Sequence, residues 1–83
     1  MNTRARAARI LAPVLRGKRA LEIPRDIPDA ALCAELCFGT LRWLPRLKCV
    51  LDALLTKPLR SKDADIEALM LIGLYQLDLM RIP

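Results

Sequence analysis

DADIEALMLIGLYQLDLM, running from Asp63 to Met80, decides the fold, because its apolar residues extend nearly all the way round a helix. At about 100° per residue, Ile66, Leu69, Met70, Gly73, Leu77 and Met80 fall within a sector of roughly 100°, and Leu71, Ile72 and Leu79 lie well outside it. A helix that is apolar on more than one side is covered on more than one side. The segment is therefore expected to be the central helix. The larger sector is expected to face the core, and Leu71, Ile72 and Leu79 are expected to form an exposed apolar strip without a partner in the chain, one that invites self-association. Asp63 is placed to cap the helix, and Asp65 and Glu67 sit where the positive end of the helix dipole favours carboxylates. Gly73 costs about 1 kcal/mol of helix propensity against Ala, which a close crossing by another helix backbone would explain.

Outward from this segment there is room for one small domain. A chain of 83 residues buries only about 60% of its unfolded surface. Its hydrophobic residues make up 54% of the composition, and Trp, Tyr and Phe occur once each, so the core must be mostly aliphatic. No stretch alternates like a strand, and the fold class is all-α, a small orthogonal helical bundle. Helices are expected at about residues 4–16, 29–44, 45–56 and 63–80.

In the first helix, Thr3 is the expected N-cap. Ala8, Leu11, Ala12 and Leu15 form an apolar stripe, and Arg6, Arg9 and Arg16 project on the opposite side. Pro13 predicts a kink or break, since a mid-helix proline costs about 3 kcal/mol, and Gly17 ends the helix in a left-handed conformation. Lys18 to Pro28 reads as a connector. Asp29 is the next expected N-cap, followed by Leu32, Leu36, Gly39 and Trp43 on one face, with Glu35 and Arg42 on a flank. Pro45 stops that helix and opens the next, whose stripe is Leu47, Val50, Leu51, Leu54 and Leu55. Lys57-Pro58 ends the third helix, and Arg81-Ile82-Pro83 ends the fourth.

The formal charge is +5, and residues 1–21 contain Arg4, Arg6, Arg9, Arg16, Lys18 and Arg19 with no acidic residue. Such a balance favours an anionic partner. An organellar transit peptide would also be basic and acid-free, but this segment is short of Ser and runs directly into a helical pattern. No apolar run approaches the roughly 18 residues of a membrane span, and the expected location is the cytoplasm. The chain has no His and three Cys. Cys33 and Cys37 share one side of a helix and Cys49 could in principle join them, but structural zinc takes four ligands, so buried reduced thiols are expected and no metal. There is no Gly-rich phosphate loop and no nucleophile with a base. The residues alone leave nucleic-acid binding, packing against a partner helix and a plain solvated charge face open.

Glu35-Leu36-Cys37-Phe38-Gly39-Thr40-Leu41-Arg42, Lys57-Pro58-Leu59, Leu71-Ile72-Gly73-Leu74-Tyr75-Gln76-Leu77 and Met80-Arg81-Ile82-Pro83 together resemble the NusB-like domain. The wording is most similar to the N-terminal domain of bacterial 16S ribosomal RNA cytosine-5 methyltransferases. The resemblance implies an RNA-binding module that contributes ribosomal RNA binding, while the S-adenosylmethionine-dependent catalytic domain follows later in the family. It implies no catalytic residue and no cofactor for this chain, and further helices after Arg81-Ile82-Pro83. Arg4, Arg6, Arg9, Arg16, Lys18 and Arg19 are then the expected RNA-contacting groups, and Glu35 and Arg42 a structural pair. Two alternatives are a protein-interaction module of the transcription antitermination type and an inactive gene fragment.

Overall fold

The computed structural model describes residues 2–80. Met1 and the expected helix-ending Arg81-Ile82-Pro83 lie outside the described residues. Four α-helices follow one another: α1 (Thr3–Leu15), α2 (Ala30–Arg42), α3 (Leu44–Leu54) and α4 (Ala64–Tyr75). A 3₁₀ turn, Ser61–Asp63, leads into α4, and a π-helical turn, Gln76–Met80, continues it. The fold is all-α, with no strand among the described residues. The third helix ends two residues short of its expected limit, and the expected single helix over 63–80 is a composite of three helical types.

Local chemistry explains the boundaries. Asn2, not Thr3, caps α1, and its side chain accepts from the Ala5 N–H at 2.7 Å. The Thr3 hydroxyl instead donates to Asp29 Oδ2 at 3.2 Å and ties the start of α1 to that of α2. Asp29 precedes α2 in the left-handed region (φ 54°, ψ 40°) and makes no side-chain cap. Pro13 does not break α1, because only Val14 and Leu15 follow it in the helix. The Gly17 N–H bonds the Val14 carbonyl at 3.0 Å and the Lys18 N–H bonds the Pro13 carbonyl at 2.9 Å, with Gly17 at φ 72°. This double closure requires a left-handed residue, which glycine supplies without a Cβ penalty. Asp63 does not cap α4 with its side chain, which accepts from the Arg60 N–H at 3.2 Å and so closes the 3₁₀ turn.

The centre of the domain is α4, which packs against α1 most extensively and also against α2 and α3. Its buried residues are Ala68, Leu71, Ile72 and Tyr75, at the i, i+3, i+4, i+7 spacing of one face. They join Ala7, Ala8, Leu11 and Ala12 of α1, Cys33, Leu36 and Cys37 of α2, and Leu47 and Leu51 of α3.

Of the sector expected to face the core, Met80 packs against it half-buried, but otherwise the orientation of α4 is the reverse of the expectation. Leu71 and Ile72 are fully buried and Leu79 is half-buried against the core, whereas Ile66 is 48% exposed and Leu77 81%, with Leu69 and Met70 also outside. The exposed apolar strip of the fold is Ile66, Leu69, Met70 and Leu77, not Leu71, Ile72 and Leu79. The reason is steric. Both sides of α4 are greasy enough to bury, and the side chosen is the one carrying Ala68, which meets a first helix lined with alanines. Small side chains let two backbones come close, and the larger aliphatics fill the spaces beside them.

A second close approach lies between α2 and α4. A Cβ built on Gly39 would overlap the ring of Tyr75, whereas one built on Gly73 would meet open space. The glycine required by a helix crossing is therefore Gly39, and Gly73 is half-buried with open space beside it. Beside Gly39, the hydroxyl of Thr40 is buried without a hydrogen-bond partner among the described residues, at a cost of about 1–3 kcal/mol.

Candidate nucleic-acid interface

Side chains at 6, 9 and 16 leave α1 on one side and the buried stripe on the other, which follows from their spacing. Arg4 falls on the stripe's side and reaches across to the end of α4, where its Nε donates to Gln76 Oε1 at 2.7 Å. Half-buried Arg6 donates from Nη1 to the Pro28 carbonyl at 3.5 Å, so it fastens the connector to α1. Arg9 and Arg19 are exposed and line one cleft between α1 and the connector. Arg16 and Lys18 are exposed along a neighbouring groove shared with Lys62 and Asp65.

The six expected contact residues therefore divide. Arg4 and Arg6 have intramolecular partners, and Arg9, Arg16, Lys18 and Arg19 gather around the C-terminal end of α1. None of the six forms an ion pair among the described residues. The ion pairs present are Arg46–Asp78 and Lys48–Glu67, each at 3.1 Å, and they link α3 to the fourth helix and its π-helical turn. Both pairs lie at the surface, although Glu67 is half-buried, and each contributes about 0–1 kcal/mol. The positions of Arg16 and Lys18 just past the last turn of α1 also favour positive charge, because the helix dipole is negative there. Lys62 was missed by the sequence reading, since nothing local connects it to Arg16.

Glu35 and Arg42 form no ion pair with each other among the described residues. Both act on the Tyr75 hydroxyl instead: burial raises its pKa, the Glu35 charge raises it further, and Arg42 opposes. Trp43, at the corner between α2 and α3, is half-exposed, and Tyr75 is only 6% exposed.

Cys33 and Cys37 are buried, and Cys49 is exposed on α3, unlike the buried thiol expected there. The Cys37 thiol donates to the Ala7 carbonyl at 3.5 Å. Burial pushes the Cys37 pKa up from 9.0 to about 12 and raises that of Cys33 as well. No group of three or more His, Cys, Asp or Glu side chains among the described residues is placed to hold a metal ion.

A pH dependence follows for Cys37. Its folded pKa exceeds the unfolded value, so the folded state holds the proton more tightly. The resulting stability is complete below pH 9 and is lost as pH rises from 9 towards 12. Urea midpoints measured across that window should fall more steeply for the native chain than for Cys37→Ala, and parallel slopes would contradict the account.

The geometry defines a small all-α bundle with a basic edge at the end of its first helix. The NusB family model matches residues 1–83, and the chain belongs to the NusB family. Among curated proteins it is similar to the ribosomal RNA small subunit methyltransferase B of Pseudomonas syringae pv. tomato, with 48% identity over 90 residues, covering 100% of this chain and 20% of the relative. The protein of the same name from Pseudomonas putida is also 48% identical over 90 residues, with 21% of its length covered. The probable ribosomal RNA small subunit methyltransferase B of Coxiella burnetii is 44% identical over 85 residues, with 20% covered. The chain thus spans about a fifth of the length of these relatives and resembles their N-terminal, NusB-like part. No solved structure matches the chain. No helix of the described residues is long and apolar enough to cross a membrane.

Proposed function

We propose that this chain is an RNA-binding module that contributes ribosomal RNA binding and not catalysis, acting in the cytoplasm. The supporting observation is the gathering of Arg9, Arg16, Lys18 and Arg19 around one end of α1, none of them in an ion pair among the described residues although Glu22 and Asp65 lie nearby, in a chain whose relatives are ribosomal RNA methyltransferases. Phosphate recognition by such a patch is a matter of counterion release, so four contacts lose about 100-fold in affinity between 50 and 200 mM salt. Arg4 and Arg6, occupied with Gln76 and Pro28, hold the fold in shape and contribute less to binding. The chain itself takes no S-adenosylmethionine, which belongs to the catalytic domain that the family carries elsewhere.

The test is the affinity for a structured 16S ribosomal RNA fragment as salt is varied. Arg9→Ala with Arg16→Ala should weaken binding and make the salt slope shallower by about two contacts. Binding unchanged by both substitutions would overturn the assignment.

A second reading, docking of a protein helix, is favoured by the exposed strip Ile66, Leu69, Met70 and Leu77. Apolar docking holds or tightens as salt rises, so the same titration separates the two.

A further inference from the structure

The connector from Lys18 to Pro28 lies against the helices. Leu21, Ile23 and Ile27 pack against the core, and Arg6 bonds the Pro28 carbonyl. Between this connector and α1 lies a cleft of about 470 Å³, within the roughly 300–1,000 Å³ of small-ligand sites. We propose that this cleft receives one unstacked nucleotide of a single-stranded RNA segment, with guanine as the preferred base. The proposal rests on the RNA-binding reading and deepens it.

Three features of the cleft carry the inference. Its apolar walls come from Ile10 and Pro13 on one side and Ile23 and Pro24 on the other, surfaces against which a base can lie flat. Arg9 and Arg19 line the same cleft without an ion-pair partner among the described residues, and so supply charge for a phosphate. The remaining polar side chain is a hydrogen-bond acceptor. Glu22 contributes a carboxylate. Pro13 has no N–H, so the Arg9 carbonyl lacks the i+4 donor that an α-helix would give it. Pro13 and Arg9 both line the cleft.

Acceptors select for donors. Guanine offers N1–H and the exocyclic N2 amine side by side, a matching edge for a carboxylate. Adenine and cytosine offer one exocyclic amine beside a ring acceptor, and uracil sets one N–H between two carbonyls that a carboxylate repels. Single-stranded RNA is recognised in this manner, by splaying a base out and reading its Watson–Crick edge.

The experiment uses short fluorescent uridine oligonucleotides carrying one central guanosine, inosine or uridine. They are titrated against the native chain and the Glu22→Gln variant at fixed low salt, beside the structured 16S fragment. Glu22 is exposed, so the substitution leaves the fold intact. The guanosine oligonucleotide should bind the native chain about tenfold more tightly than the uridine one, as expected for one good base contact. Inosine, lacking the N2 amine, should fall between them. Glu22→Gln should remove the preference without weakening the uridine oligonucleotide, because it deletes a negative charge. Equal affinities for the three oligonucleotides, or a preference that survives in Glu22→Gln, would overturn the cleft assignment while salt-dependent binding of the 16S fragment leaves the RNA reading standing. Failure to bind either ligand would remove both.

Discussion

Gly39→Ala is expected to destabilise the domain by about 3 kcal/mol, although alanine is the better helix former. Two effects oppose each other. Removing a glycine from the middle of α2 gains about 1 kcal/mol of helix propensity. The new Cβ, however, lands on the ring of Tyr75, which has almost no exposed surface into which to retreat. Either α4 backs away and loosens the packing of Leu71 and Ile72, or the ring leaves the core, and loss of a buried aromatic costs about 3–5 kcal/mol. The steric effect wins. Gly73→Ala carries the same propensity gain into open space and should stabilise by about 1 kcal/mol. Adding Tyr75→Leu to Gly39→Ala should cost less than the sum of the two single changes, because the first removes the obstacle to the second. Urea denaturation of the four chains is the measurement. A Gly39→Ala protein as stable as the native one would show that α2 and α4 do not cross closely there.

The second large effect concerns the two sides of α4. Leu71→Ala and Ile72→Ala should each cost about 2–5 kcal/mol, and together they approach the roughly 5–15 kcal/mol that holds a whole domain. The pair should abolish cooperative unfolding. Met70→Gln and Leu77→Gln, on the opposite side, should change stability by less than about 0.5 kcal/mol, as surface substitutions do. They should also reduce any concentration-dependent association, because they dilute the exposed apolar strip. The solvent-accessible surface is 5756 Å², against roughly 5,000 Å² for a compact monomer of this mass. If Leu77→Gln destabilises as strongly as Leu71→Ala, both sides are covered and the orientation of α4 is wrong.

Helix order was readable because punctuation residues act locally. Gly17 and Pro45 mark ends that need no tertiary information, whereas α3 stops at Leu54, ahead of Lys57-Pro58. The stripe Ala8, Leu11, Ala12 separates from the side of Arg6, Arg9 and Arg16 by spacing alone. The facing of α4 was not readable in this way, because a helix greasy on all sides has no preferred direction of its own. Its orientation depends on where the chain is small, at Ala68 and Gly39, which a search for large aliphatics passes over. The basic patch was half legible. Local spacing could not show that Arg4 turns towards Gln76, or that Arg9 and Arg19 converge on one cleft, since both depend on how distant segments come together. Glu35 and Arg42 were expected to pair on the strength of the family resemblance, and the group that relates them, Tyr75, lies on another helix.

The most extensive interface joins α1 to α4, the first helix to the last. On the ribosome, the amino-terminal three helices emerge before the element that covers them, and α2 meets α3 only sparingly. Contacts so far apart in sequence must wait for loop closure, which slows folding relative to a bundle of neighbouring hairpins. Native order should therefore arrive only once α4 has emerged, and all at once. A chain ending at Arg60 should lack cooperative thermal melting by circular dichroism, whereas one ending at Met80 should show it. Equal melting of the two would mean that the first three helices hold together unaided.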